Sequence, residues 1–221
     1  MEHASKGINR RKFIKTTSAL TTGLTGMIML PQANWAHEKL PEDSMHIIGP
    51  KPGFAPQIGT LLSMMTWMRM VVLRSVTNMT KEDLDYLHDA KSNTIGAMLL
   101  HLAATETYYQ GNTFEGRREY TDSEKIKWGA AMSLGDEGRK LIKGNNLDYY
   151  LDILKSTREK TITEFKKRDD KWLMSIDPKF FGDQPTNNYC KWFHVCEHES
   201  NHNGQIKWIK GRLPGAKPGN E

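Results

Sequence analysis

From about residue 57 to residue 213, apolar residues return at intervals of three and four, and no stretch alternates convincingly in twos. Intervals of three and four place side chains on one face of an α-helix. A chain with four such stripes and no strands can bury them only against one another, which makes a helical bundle. The first stripe runs from about Gln57 to Asn78, with Ile58, Leu61, Leu62, Met65, Val72 and Val76 in register. Thr80 and Asp83 then read as a capping box opening a short helix. The second long helix starts at Ser92 or Asn93 and carries Ile95, Leu99 and Leu102. The third runs from about Leu147 to Lys167, with Tyr150, Leu151, Leu154 and Phe165. The fourth begins after Pro185, with Thr186 expected as N-cap, and stops near Leu213 before Pro214-Gly215. Residues 111–145 are rich in glycine and polar side chains, and are expected to hold one or two short helices around Ser123–Met132. The expected fold is therefore all-α: an antiparallel four-helix bundle with one long crossover connection. It occupies residues 57–213, after a proline-containing linker over 37–56 and before a polar tail over 214–221.

The net charge of +5 suggests a nucleic-acid partner until its location is considered. Five of the 31 basic residues but only one of the 26 acidic residues fall within residues 1–36, so the remainder is nearly neutral. A nearly neutral domain has no electrostatic footprint for a phosphate backbone, so no nucleic-acid partner is expected. The basic residues belong to a leader, Asn9-Arg10-Arg11-Lys12-Phe13-Ile14-Lys15, followed by a mildly apolar run from Thr16 to Leu30. A basic segment before a short apolar one is an export signal, and the run is too rich in Thr and Gly for a membrane span. The paired arginines give it the form of a twin-arginine signal. Residues 1–36 are thus expected to direct export to the periplasm, or to anchor the chain in a membrane if they are not cleaved. No stable membrane span is expected in the mature form.

The chemistry concentrates near the C-terminus, where His194, His198 and His202 follow one another at steps of four. On a helix that spacing stacks imidazoles one turn apart on one face, a spacing at which two can close on one metal ion. His198 and His202 share their face with Val195, Ile206 and Ile209, so they point into the bundle. Burying two imidazoles costs free energy unless both find partners, and a metal or core hydrogen bonds could supply them. His101 is the candidate third ligand, because it lies mid-helix in an otherwise apolar segment. His37, His46 and His88 fall in linker or polar segments. His194 and Glu197 are candidates for a proton shuttle or for groups supporting the ligands. Glu199 is expected to be solvated or to support a ligand. Glu106 lies on an apolar stripe and is expected to form an interhelical ion pair with a buried base such as Arg158. Cys190 and Cys196 would diverge on one helix, which is poor disulfide geometry, so both are expected to be buried small residues. The 12 methionines do not cluster as a copper site would require, and suit a helical interior.

Taken together, His101 in an apolar helix and His198-x-x-x-His202-x-Gly204-Gln205-Ile206 near the C-terminus resemble the DinB-like superfamily of metal-binding four-helix bundles. The resemblance includes Ser92-Asn93-Thr94-Ile95-Gly96, Leu134 to Arg139, Tyr149 to Leu154 and Arg158, and covers roughly residues 57–213. It differs from many members in carrying Asn203, where they have a basic residue. The resemblance implies that His101, His198 and His202 bind one divalent ion. Imidazole ligands suit Zn²⁺, Ni²⁺ or Fe²⁺, and three of them leave positions open for water or substrate. Two enzyme chemistries fit: transfer of a low-molecular-weight thiol to an electrophile, or hydrolysis by a metal-activated water. A non-catalytic exported metal- or ligand-binding protein is the alternative. The expected partners are a small-molecule substrate and, as a further candidate, a second copy of the chain.

Overall fold

The computed structural model describes residues 45–216. The leader, the first part of the linker with His37, and the last residues of the tail lie outside the described residues. The helices are α1 (Pro56–Ser75), α2 (Lys81–Asp85), α3 (Ile95–Glu115), α4 (Asp122–Ser133), α5 (Gly135–Leu141), α6 (Leu147–Phe165), α7 (Asp170–Leu173) and α8 (Asn188–Lys210). Between α7 and α8, β1 (Ile176–Asp177) pairs antiparallel with β2 (Thr186–Asn187). Among the described residues, no helix is long and apolar enough to cross a membrane.

The helix starts follow local chemistry. Pro56 sits in the first turn of α1, where its missing N–H costs nothing. The Thr80–Asp83 capping box forms as the sequence predicts, and Thr121 with Glu124 forms a second at α4. Thr94 and Asn146 cap α3 and α6. At α8 the expectation needs correction. The cap is Asn187, whose side chain accepts from the Cys190 N–H, while Thr186 is one residue earlier in β2. Asparagine is at least as good a cap as threonine, and the strand pairing holds Thr186 extended.

Contacts between the long helices fix their directions. Along α3 and α8, His101 meets His198 and Asn112 meets Lys191, so these helices run antiparallel. Along α1 and α8, Arg69 meets Glu199 and Ser75 meets Asn203, so these run parallel. Likewise α6 runs parallel to α3, with Arg158 on Glu106 and Thr161 on Gln110. Two helices therefore run each way. The parallel α3–α6 pair requires the long crossover, which α4 and α5 fill. At Gly96 these helices approach closely, since a Cβ there would sit 2.6 Å from the Tyr150 hydroxyl oxygen.

The interior has two apolar ends and a polar middle. One end gathers Val72, Ile95, Leu99, Leu102, Tyr150, Leu154 and Ile206. The other gathers Ile58, Leu61, Met65, Phe165, Trp192 and Val195, with Phe54 of the lead-in segment packed against it. Between them lie Arg69, Glu106, Arg158 and Glu199, one from each long helix. Glu106 is fully buried and pairs with Arg158 at 2.7 Å, as the sequence suggests, and with Arg69 at 2.9 Å. Glu199 pairs with both arginines at 2.7 Å. It is 1% exposed and so is not the solvated acid that the sequence allowed. Burial would raise the Glu106 carboxyl's pKa, but the Arg158 and Arg69 charges outweigh it and hold the carboxyl below its ordinary range. Two positive and two negative charges cancel within one layer.

Candidate metal centre

His101, His198 and His202 come together beside this polar layer. Their ligand-capable nitrogens all lie within 4.8 Å of one another. The His101 and His198 Nε2 atoms are 2.8 Å apart. Two antiparallel helices create this meeting: α3 supplies one imidazole, and two successive turns of α8 supply the others. His101 and His202 are buried, and His198 is half-buried.

The hydrogen bonds set the tautomer of His101. Its Nδ1 lies 2.8 Å from the Ala131 carbonyl oxygen of α4, which can only accept. Nδ1 therefore carries the proton, and Nε2 presents its lone pair to the other two histidines. A second hydrogen bond that fixes ring and tautomer is the usual support for a metal-binding histidine. His202 Nδ1 is buried and has no hydrogen-bond partner among the described residues. Burial disfavours the charged form of all three. It lowers the pKa of His101, takes His198 to about 3 with help from the neighbouring imidazoles, and takes His202 to about 4 with help from His101. At neutral pH the cluster is three uncharged imidazoles, the protonation state that a metal ion needs. An orphaned nitrogen, an oriented lone pair and an all-imidazole donor set fit a borderline divalent ion.

Two members of the triad border a cavity of about 540 Å³. His101 and His198 line it with Thr105, Tyr108, Tyr109, Met132, Phe180, Phe181, His194 and Arg118. Phe180 and Phe181 come from the segment joining β1 to β2. His194 stands one turn before His198, and its Nδ1 is 3.0 Å from the Tyr109 hydroxyl. Burial pushes the Tyr109 pKa upward, so this phenol keeps its proton. Glu197 is exposed and does not line the cavity. Of the two expected proton carriers, the geometry places only His194 at the cavity.

The remaining histidines are elsewhere. His88 packs edge-on against Trp208 and His46 against Trp67. Both cysteines are free, and Cys196 is buried as expected. Cys190 is exposed, because it falls in the first turn of α8 on the side away from the core. The sequence reading missed Arg69 in the buried charged layer and Tyr109 beside His194. Arg69 carried a legible signal, since it falls on the Met65–Val72 stripe where a charge requires a buried partner. Phe180, Phe181 and Arg118 carried none, because they lie in irregular segments without periodicity.

Residues 60–215 match the profile of the family described as mycothiol-S-transferase. A comparison with curated proteins gave no significant match.

Proposed function

Since the chain belongs to the mycothiol-S-transferase family, a DinB-like family, we propose that it is a metal-dependent enzyme that transfers a low-molecular-weight thiol to an electrophile. The observation that carries the reading is the convergence of three uncharged imidazoles at the edge of an open cavity. His101, His198 and His202 would hold the divalent ion, with Zn²⁺, Ni²⁺ and Fe²⁺ as candidates. A bound ion would supply Lewis acidity that makes a thiol ionise near neutral pH.

The chain's own residues have three tasks. Ala131 orients His101 through its carbonyl, so a lone pair faces inward without rearrangement. Tyr109 pairs with His194 Nδ1 at 3.0 Å, and with Nδ1–H donating to the phenol oxygen the Nε2 lone pair of His194 is left free at the cavity wall. From there His194 can take the proton of the incoming thiol at Nε2 and pass it to the leaving group. Phe180, Phe181 and Met132 cover the cavity with apolar surface, which limits competition by water. The basic leader supports export as the proposed location of the mature protein.

The test is direct. Protein stripped of metal and reloaded in turn with Zn²⁺, Ni²⁺ and Fe²⁺ should bind about one ion per chain. It should accelerate conjugation of a thiol such as mycothiol to 1-chloro-2,4-dinitrobenzene. His198→Ala should lose both properties. Stoichiometric metal without conjugation would favour the binding-protein alternative, and absence of metal binding would overturn both.

A further inference from the structure

The cavity also constrains what its small molecule must look like. Among the described residues, Arg118 is the only one lining it that carries a permanent charge, and no carboxylate lines it. Aromatic rings line the cavity beside it: Tyr109, Phe180 and Phe181. We infer that the cavity takes an organic anion, with an aromatic or apolar body along these rings and a carboxylate at Arg118. The inference rests on the cavity proposed above as the transferase site and deepens it by naming a substrate class.

Two hydrogen bonds hold Arg118 in place. One Nη1 proton goes to the Lys179 carbonyl at 2.7 Å, and one Nη2 proton goes to Asp177 Oδ1 at 2.7 Å. Five N–H groups are available on a guanidinium, so three remain for a ligand. The Asp177 counter-charge is shared, because the Lys191 ammonium also donates to Asp177 at 2.8 Å. Lys191 is 2% exposed and lies 4.1 Å from the centre of the Phe180 ring. Burial works against ionised Asp177, but the Lys191 and Arg118 hydrogen bonds outweigh it, and its pKa falls to about 2. Two cations thus share the Asp177 carboxylate, which leaves neither fully neutralised by it. The Arg118 side chain is 57% exposed, so it remains reachable by an incoming anion. A planar fork with free donors recognises a carboxylate in two-point fashion, which an ammonium cannot do.

Binding is best read on full-length, metal-free protein, where a carboxylate cannot reach an ion. Three probes of one shape suffice: 3-phenylpropionate, 3-phenylpropanamide and 3-phenylpropylamine. Calorimetry at low salt should show the acid binding at least ~10-fold tighter than the amide, with the amine weakest. Arg118→Gln should bring acid and amide to within ~2-fold, while Arg118→Lys should keep part of the preference. Arg212→Gln, on a surface outside the cavity, should leave the preference intact. Matching thermal melts would exclude misfolding of the Arg118 variants. Equal binding of acid and amide, no binding of any probe, or an unchanged preference in Arg118→Gln would overturn the inference. Because the readout needs neither metal nor turnover, failure of thiol transfer leaves this result readable, and the reverse also holds.

Discussion

Replacing Glu106 by Gln should be among the most damaging single changes to the fold. Glu106 is fully buried and accepts four hydrogen bonds: two from Arg158, at 2.7 and 3.2 Å, one from Arg69 at 2.9 Å and one from Thr161 at 2.6 Å. Glutamine keeps the shape but presents an NH₂ donor to guanidinium donors. It also leaves two buried arginines facing only Glu199, so the layer changes from neutral to one net positive charge. Arginine cannot relieve this by losing its proton. Breaking a buried pair on one side costs about 3–5 kcal/mol. With a urea m-value of about 2 kcal/mol/M, the unfolding midpoint should fall by about 2 M. Glu115 provides the contrast, since its partners Arg117 and Lys160 are on the surface and its side chain is 43% exposed. Glu115→Gln should cost under about 1 kcal/mol. The assay is urea titration of both variants by circular dichroism, with unchanged slopes. Two midpoints within about 0.3 M of each other would mean that the buried layer contributes no more than a surface pair, and the reasoning would fail.

Other outcomes follow from the histidines and the leader. His198→Ala should abolish stoichiometric metal binding, whereas His88→Ala should preserve it, as elemental analysis of reconstituted protein will show. Metal-free protein should lose stability as the pH falls below 6.5, because unfolded histidines take up protons there while folded ones resist. For His202, with a folded pKa of about 4, the loss by pH 5 is about 2 kcal/mol. Thermal melts in chelator at pH 7.5 and pH 5 would refute this if they coincided. The same depressed pKa values imply that Zn²⁺ affinity should fall less steeply between pH 7 and pH 5 than for three free imidazoles, because His198 and His202 are already deprotonated there. A steep loss of affinity beginning at pH 6.5, read by competition with a chromophoric chelator, would contradict it. Finally, Arg10→Lys together with Arg11→Lys should hold precursor in the cytoplasm, and undiminished periplasmic yield would show the pair to be incidental.

What the sequence made legible was whatever repeats. The stripes on α1, α3, α6 and α8 follow the helical period, and capping residues marked most starts to within a residue or two. His198 and His202 stood out because imidazoles recurring on an apolar face require partners, and the mid-helix position of His101 marked it for the same reason. The Glu106–Arg158 pair was visible on similar grounds. Glu199 was harder, because a glutamate beside two others on a polar-looking helix resembles a solvated residue until Arg69 is placed opposite it. The aromatic wall was beyond reach. Phe180 and Phe181 are brought to the cavity by a two-residue strand pair, and strands of that length leave no alternation to read. The Asn187 cap was displaced from the expected Thr186 for the same reason.

The centre joins residues 97 positions apart in the chain, and two of its three imidazoles reside on the last helix. A growing chain that has completed α1 to α7 holds a single one of them, and one imidazole cannot retain an ion against cellular buffers. Ion capture must therefore follow synthesis and docking of α8, as nearly the last event in maturation. The compartment in which that helix docks would then be the one whose metal supply decides which ion the proposed site takes.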